Sequence, residues 1–257
     1  VQTSPAPFQS ALNNSSSDVF VSKLSFNTSS STLSLAASTY LGGSDTDEGW
    51  GIAIDTASPP NVYVTGQTNS TGTGANPFPT TAGAFSTANA GGTDAFAAKL
   101  AGNFASLTYS TYLGGTGTDN GYGIGLDGAN PPNAFITGST TSSNFPLSVP
   151  LQSALGSAAI TDAFVTELKF DGSALTYSTY LGGVQADQGR GIAANSTGNA
   201  YITGTTASQN FPVLSSSGVG ASPFNGQLGS SSGNAFVAKI SPAAAPSALN
   251  FFPPVYN

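Results

Sequence analysis

The chain contains no cysteine, no histidine and no methionine, and only 7% of its 257 residues are charged. Without cysteine there is neither a disulfide framework nor a thiolate metal site, so stability has to come from packing and sheet hydrogen bonds. Without histidine the commonest general base and metal ligand is missing, and the usual Ser-His-Asp triad cannot be assembled. Five basic residues stand against twelve acidic ones, a net charge of −7. No basic stripe is available to neutralise phosphates, which argues against nucleic acid and anionic membrane as partners. No apolar run approaches the roughly eighteen residues that span a bilayer. With so few ionisable groups, stability is expected to depend weakly on pH. The lack of Met and Cys suits an oxidising exterior, and the polar start Val1-Gln2-Thr3-Ser4-Pro5 reads as that of a processed, secreted chain.

What is abundant is glycine (32 residues), with serine, threonine, alanine and asparagine, and a 39% hydrophobic content sufficient for a continuous core. The chain repeats itself. Ser-Thr-Tyr-Leu-Gly-Gly occurs at 38–43, 110–115 and 178–183, a period of about 70 residues. Asp18-Val19-Phe20-Val21 recurs as Asp94-Ala95-Phe96-Ala97, Asp162-Ala163-Phe164-Val165 and Asn234-Ala235-Phe236-Val237. A Gly-x-Gly-Ile segment follows Asp47, Asp119 and Asp187, and each copy precedes an Asn-x-aromatic-x-Thr-Gly segment at 61–66, 133–138 and 199–204.

Each module reads as four short strands, because apolar and small residues alternate over five to eight positions between Gly, Asn, Asp or Pro. In the second full copy the strands are expected at 122–127, 133–139, 162–168 and 175–181. Asp127-Gly128 and Asp171-Gly172 supply the positive φ of hairpin turns. The two hairpins of a module are joined by a polar loop with Phe78-Pro79, Phe145-Pro146 or Phe211-Pro212, where the phenylalanine is expected to pin the loop to the sheet. The fold class is therefore all-β, a β-propeller-like array of four-stranded antiparallel blades.

Together, the Tyr-Leu-Gly-Gly, Gly-Ile-Ala, Tyr-Val-Thr-Gly and Asp-Ala-Phe-Val elements resemble the bacterial SBBP family, the "seven-bladed β-propeller" repeats of large secreted and surface proteins. The resemblance spans about residues 18–240 and implies a propeller-like fold in an extracellular setting, with no catalytic residues to carry over. The count departs from seven blades. A half-module at 18–43 precedes modules at 47–115, 119–183 and 187–257, about three and a half blades in one repeat domain. An array that stops in mid-blade leaves a strand edge open, which invites a second copy and a ring or filament.

The acidic residues fall mostly in repeat columns: Asp18, Asp94 and Asp162 with Asn234; Asp47, Asp119 and Asp187; Asp55 and Asp127 with Asn195. Recurrence once per module, with Asn as substitute, reads as turn or strand-end hydrogen bonding rather than catalysis. Asp45, Asp47 and Glu48 form the one local acidic cluster, a weak Ca²⁺ candidate and the only foothold for a hydrolase or lyase. No other cofactor is expected. Lys23, Lys99 and Lys239, with Glu167 in the remaining copy, read as an exposed strand position. Trp50, Tyr122 and Arg190 share a column whose planar groups suit stacking on sugar rings. Asn13, Asn14, Asn27, Asn69 and Asn195 lie in Asn-x-Ser/Thr sites open to glycosylation. Phe20, Phe251, Phe252, Val255 and Tyr256 are the apolar candidates for self-assembly contacts.

The leading functional expectation is a non-enzymatic, secreted or cell-surface structural protein that associates with itself into a fibre, ring or surface layer. The alternative is a carbohydrate-binding adhesion module with glycan partners.

Overall fold

The computed structural model describes residues 5–13, 16–213 and 233–241. Asn14, Phe251, Phe252, Val255 and Tyr256 lie outside the described residues. Within them the chain forms strands and no helix, and so no helix long and apolar enough to cross a membrane.

Strands β1 (Val19–Asn27) and β2 (Thr32–Leu41) make a two-stranded hairpin. A four-stranded sheet follows, from β3 (Asp47–Ile54), β4 (Val62–Thr68), β5 (Asp94–Leu100) and β6 (Leu107–Leu113), paired in that order. The next four, β7 (Asp119–Leu126), β8 (Ala134–Thr140), β9 (Asp162–Leu168) and β10 (Leu175–Leu181), repeat the arrangement. Strands β11 (Asp187–Ala194), β12 (Ala200–Thr206) and β13 (Asn234–Ile240) form a three-stranded sheet. Every ladder is antiparallel.

The registers agree from sheet to sheet. Gly66 faces Phe96, Gly138 faces Phe164 and Gly204 faces Phe236, so each ring lies over a glycine on the neighbouring strand. The first strand starts at Asp119 rather than at 122, because Asp119 pairs with Thr140 and its N–H donates to Thr93 O of the preceding sheet at 2.8 Å. The turn glycines behave as their sequence requires, with φ of +75° at Gly128 and +74° at Gly172.

The sheets pack on one another in chain order. Tyr63, Ala97 and Tyr109 of the first four-stranded sheet meet Ile124, Ile136 and Phe164 of the second. Phe135, Val165 and Leu181 of the second meet Ile202 and Phe236 of the third. Every residue of β5 and β9 is buried, as expected for a strand covered on both faces. The first strands approach closely along their glycines. A β-carbon on Gly51 would lie 3.1 Å from Ile124 N, and one on Gly123 would lie 3.0 Å from Arg190 O. The loop phenylalanines are pinned as expected: Phe78, Phe145 and Phe211 are buried, with ring centroids 5.0, 4.6 and 4.6 Å from Phe96, Phe164 and Phe236.

Candidate functional site

Three constellations stand apart from ordinary core packing. The first is a ladder across the first strands. Trp50 on β3 and Tyr122 on β7 have ring centroids 4.9 Å apart, and the guanidinium of Arg190 on β11 sits 4.3 Å over the Tyr122 ring. Residues from three modules are thereby drawn into one row, since the first strands lie side by side. Tyr122 is engaged by both neighbours, and Trp50 keeps the largest free ring surface, at 41% exposed.

The second is a set of aspartate pairs at the sheet junctions. Asp47, Asp119 and Asp187 open the first strands, and each Oδ2 accepts from the second glycine of Leu-Gly-Gly: Gly43, Gly115 and Gly183 donate at 2.7 Å. Ser70, Ser142 and Ser208 hydroxyls donate to the same oxygens at 2.7–2.9 Å. Asp94 and Asp162 open the third strands. Asp94 Oδ2 accepts from Ala90 N at 2.8 Å, and Asp162 Oδ2 accepts from Gly156 N and Gln152 Nε2. Asp18 Oδ2 similarly accepts from Gln9 Nε2 and Asn13 N. The strand-end hydrogen bonds expected for both columns are present.

What the columns did not reveal is that they meet. A β-carbon on Gly114 would lie 2.6 Å from Asp94 Oδ1 and 2.8 Å from Asp119 Oδ2. Gly42 stands in the same way between Asp18 and Asp47, and Gly182 between Asp162 and Asp187. The first glycine of each Leu-Gly-Gly is there because two carboxylates close over it. Burial raises Asp94 to about 7, and the neighbouring Asp119 charge adds to this. Burial raises Asp162 to about 6, with Asp187 contributing in the same direction. Asp47, Asp119 and Asp187 are raised by burial as well, opposed by their hydrogen bonds.

The third is an exposed strand edge. In three modules the phenylalanine of the Asp-x-Phe strand is fully covered: Phe96, Phe164 and Phe236 are each 0% exposed. Their counterpart Phe20 is 71% exposed, because β1 has β2 on one side and, among the described residues, no strand on the other. Ile52 on β3 is 62% exposed, against 7% for Ile124 at the same place on β7. Leu24, Phe26 and Leu33 of the hairpin are exposed too.

The remaining candidate residues are dispersed. Asp45 is exposed, Asp47 is buried against Gly43, and Glu48 Oε2 accepts from Gln67 Nε2 at 2.9 Å. The three therefore do not converge, and among the described residues no three acidic side chains gather into a metal-sized cluster. The lysine column corrects the sequence reading in its middle members. Lys99 and Glu167 are buried, because β5 and β9 are covered on both faces. Lys99 Nζ lies 3.9 Å from Asp55 Oδ2 and 4.9 Å from the Tyr63 ring centre. Glu167 has no such cation. Asn133 Nδ2 bridges it to Asp127 at 2.9 and 3.0 Å, and burial plus the Asp127 charge raises it above the usual carboxylate range. Lys23 is exposed, and Lys239 Nζ sits 5.6 Å over Tyr201. Asp55, Asp127 and Asn195 cap their hairpin turns through hydrogen bonds from Ala57, Ala129 and Thr197 amides. Of the candidate glycosylation sites, Asn27 and Asn69 are exposed, Asn13 Nδ2 donates to Gly42 O, and Asn195 is occupied by its turn.

Antiparallel four-stranded sheets repeated in register and packed in chain order define a β-propeller-repeat protein. A family model described as SBBP, β-propeller repeat, matches three stretches of the chain, residues 38–72, 108–146 and 176–212. Each matched stretch begins within the last strand before a junction and runs through the junction and the first two strands of the following sheet. No curated protein matches the chain.

Proposed function

We propose that the chain is a non-enzymatic extracellular structural protein, an array of about three and a half blades that associates with further copies of itself through its unfinished N-terminal edge. The observation that carries this reading is the contrast between Phe20, 71% exposed, and its three counterparts at 0%. Within one molecule, the same position occurs with and without a neighbouring hairpin among the described residues. The open surface is what a first-and-second-strand hairpin covers elsewhere: the outward edge of β1, Phe20, Leu24 and the Ile52 face of β3. Burying a side chain such as Phe or Ile contributes about 1.5–3 kcal/mol, so several together suffice for a specific contact. Strand addition supplies register as well as affinity, and a head-to-tail contact closes into a ring or runs into a filament. Sedimentation and negative-stain microscopy test it. Wild-type protein assembles, and Phe20→Asp remains a folded monomer; a wild-type monomer at every concentration refutes the reading.

The Trp50–Tyr122–Arg190 row favours a second reading, carbohydrate binding, since an exposed indole beside a guanidinium suits a sugar face and its hydroxyls. A glycan array with wild type and Trp50→Ala decides it. Binding that Trp50→Ala abolishes supports a lectin-like surface, and binding to no glycan removes it.

A further inference from the structure

We propose that each sheet junction binds one hard divalent cation, Ca²⁺ by preference, between its two aspartates: Asp18 with Asp47, Asp94 with Asp119, and Asp162 with Asp187. The argument starts from the oxygens left over. In all six side chains Oδ2 is supplied with donors, whereas Oδ1 is buried and has no hydrogen-bond partner. Thr68, Thr140 and Thr206 hydroxyls lie beside the first-strand carboxyls, yet none reaches Oδ1 with hydrogen-bond geometry. Asp94, Asp119, Asp162 and Asp187 are 0% exposed and Asp47 is 1% exposed. Buried polar atoms are nearly always paired, and three at equivalent places in each of two repeat columns mark a missing partner rather than a local defect.

The partner is a cation for three reasons. First, the protein brings no positive charge to these pairs. The one ion pair among the described residues is Lys99–Asp55, at the opposite end of β5 from Asp94. Second, the two carboxylates of a pair close on one point: a β-carbon on Gly114 would lie 2.6 Å from Asp94 Oδ1 and 2.8 Å from Asp119 Oδ2. Oxygens gathered about one point suit an ion that takes its oxygen ligands at about 2.3–2.6 Å. Third, the donors are all oxygen, in a chain without histidine or cysteine, which selects a hard ion, and two carboxylates neutralise its charge. The Oδ1 atoms of Asp18, Asp94 and Asp162 lie 2.6, 2.6 and 2.7 Å from the β-carbon position of Gly42, Gly114 and Gly182, and Oδ2 of Asp47, Asp119 and Asp187 lies 2.8 Å from the same points. The stoichiometry is fixed by the sequence. Asn234 takes the third-strand position in the last sheet, and no acidic residue follows Asp187.

Native mass spectrometry and calorimetric titration of the full chain with CaCl₂, after EDTA treatment at neutral pH, test this. Wild type binds three Ca²⁺, and the isosteric double variant Asp94→Asn/Asp119→Asn binds two. Ca²⁺ raises the wild-type Tm by about 5 °C, as expected when a ligand binds only the folded state. Terbium provides an independent readout, because Tyr112 lies near Asp47 and Asp94, and Tyr180 near Asp119 and Asp162. Tyrosine-sensitised emission should appear and be displaced by Ca²⁺. If the first double variant does not fold, Asp162→Asn/Asp187→Asn and the wild-type stoichiometry carry the same test. Wild type that retains no Ca²⁺ and shows no Tm change overturns the proposal and leaves protons as the neutralising species. Three ions still bound to a folded double variant overturn it by placing the ions elsewhere.

Discussion

A glycine between two carboxylates has no room for a methyl group. At Gly114 a β-carbon would stand 2.6 Å from Asp94 Oδ1 and 2.8 Å from Asp119 Oδ2. Gly114→Ala should therefore destabilise the protein by about 1–3 kcal/mol in urea unfolding, the cost of overpacking. A second residue-scale contrast lies at the far ends of the same strands. Lys99 compensates Asp55, whereas Glu167 stands against Asp127 with only Asn133 between them. Glu167→Lys should recreate the first sheet's pair and stabilise the protein by about 1 kcal/mol, the scale of a single polar contact. The pH dependence has a definite sign. Because folding raises the Glu167 pKa above its ordinary value of 4.5, its contribution is full below that value and is lost as pH rises through the raised one. Glu167→Gln should flatten this part of the stability curve, measured as Tm from pH 4 to pH 8. The weak pH dependence expected from composition alone overlooks that several of the few carboxylates are buried.

At the scale of the element, each loop between hairpins is held by one ring. Phe145 packs on Phe164 at 4.6 Å and on Tyr180 at 6.2 Å, and its N–H donates to the Tyr180 hydroxyl at 3.2 Å. Phe145→Ala should cost about 3–5 kcal/mol, and limited proteolysis should then cut first within 141–161. The strands and their hairpins were legible in the sequence, because alternation, turn residues such as Asp127-Gly128 and Asp171-Gly172, and three- or four-fold repetition agree. The loop rings were legible too, since Phe-Pro in a polar loop has few uses. Lys99 and Glu167 were not. Reading them as exposed assumed one solvated face, and β5 and β9 have none. The pairing of aspartates escaped as well. A column shows that a residue recurs, but not that two columns from adjacent sheets meet over a glycine. For the same reason the Trp50, Tyr122 and Arg190 column gave no sign that its members stack into one row; the distance between first strands, set by Gly51 and Gly123, is a property of packing.

At the scale of the whole molecule, the repeats build a chain of sheets whose inner members are covered on both sides and whose N-terminal hairpin is not. The interior explains itself: every module buries its phenylalanine, its loop ring and its junction aspartates in the same way. The open end departs from that rule in Phe20, Leu24, Phe26, Leu33, Ile52 and Ile54, all exposed on the first hairpin and the first full sheet. A repeat protein needs a cap or a neighbour at such an end. The proposed neighbour is another copy, and the contact is strand pairing along β1. Half of the β1 amides already serve β2, while the alternate set points outward. Hydrogen exchange, measured residue by residue on β1 at low and high protein concentration, tests this directly. Self-assembly predicts that the outward amides between Val19 and Leu24 gain strong protection at high concentration while β5 and β9 stay unchanged; outward amides that exchange equally fast at both concentrations would contradict it.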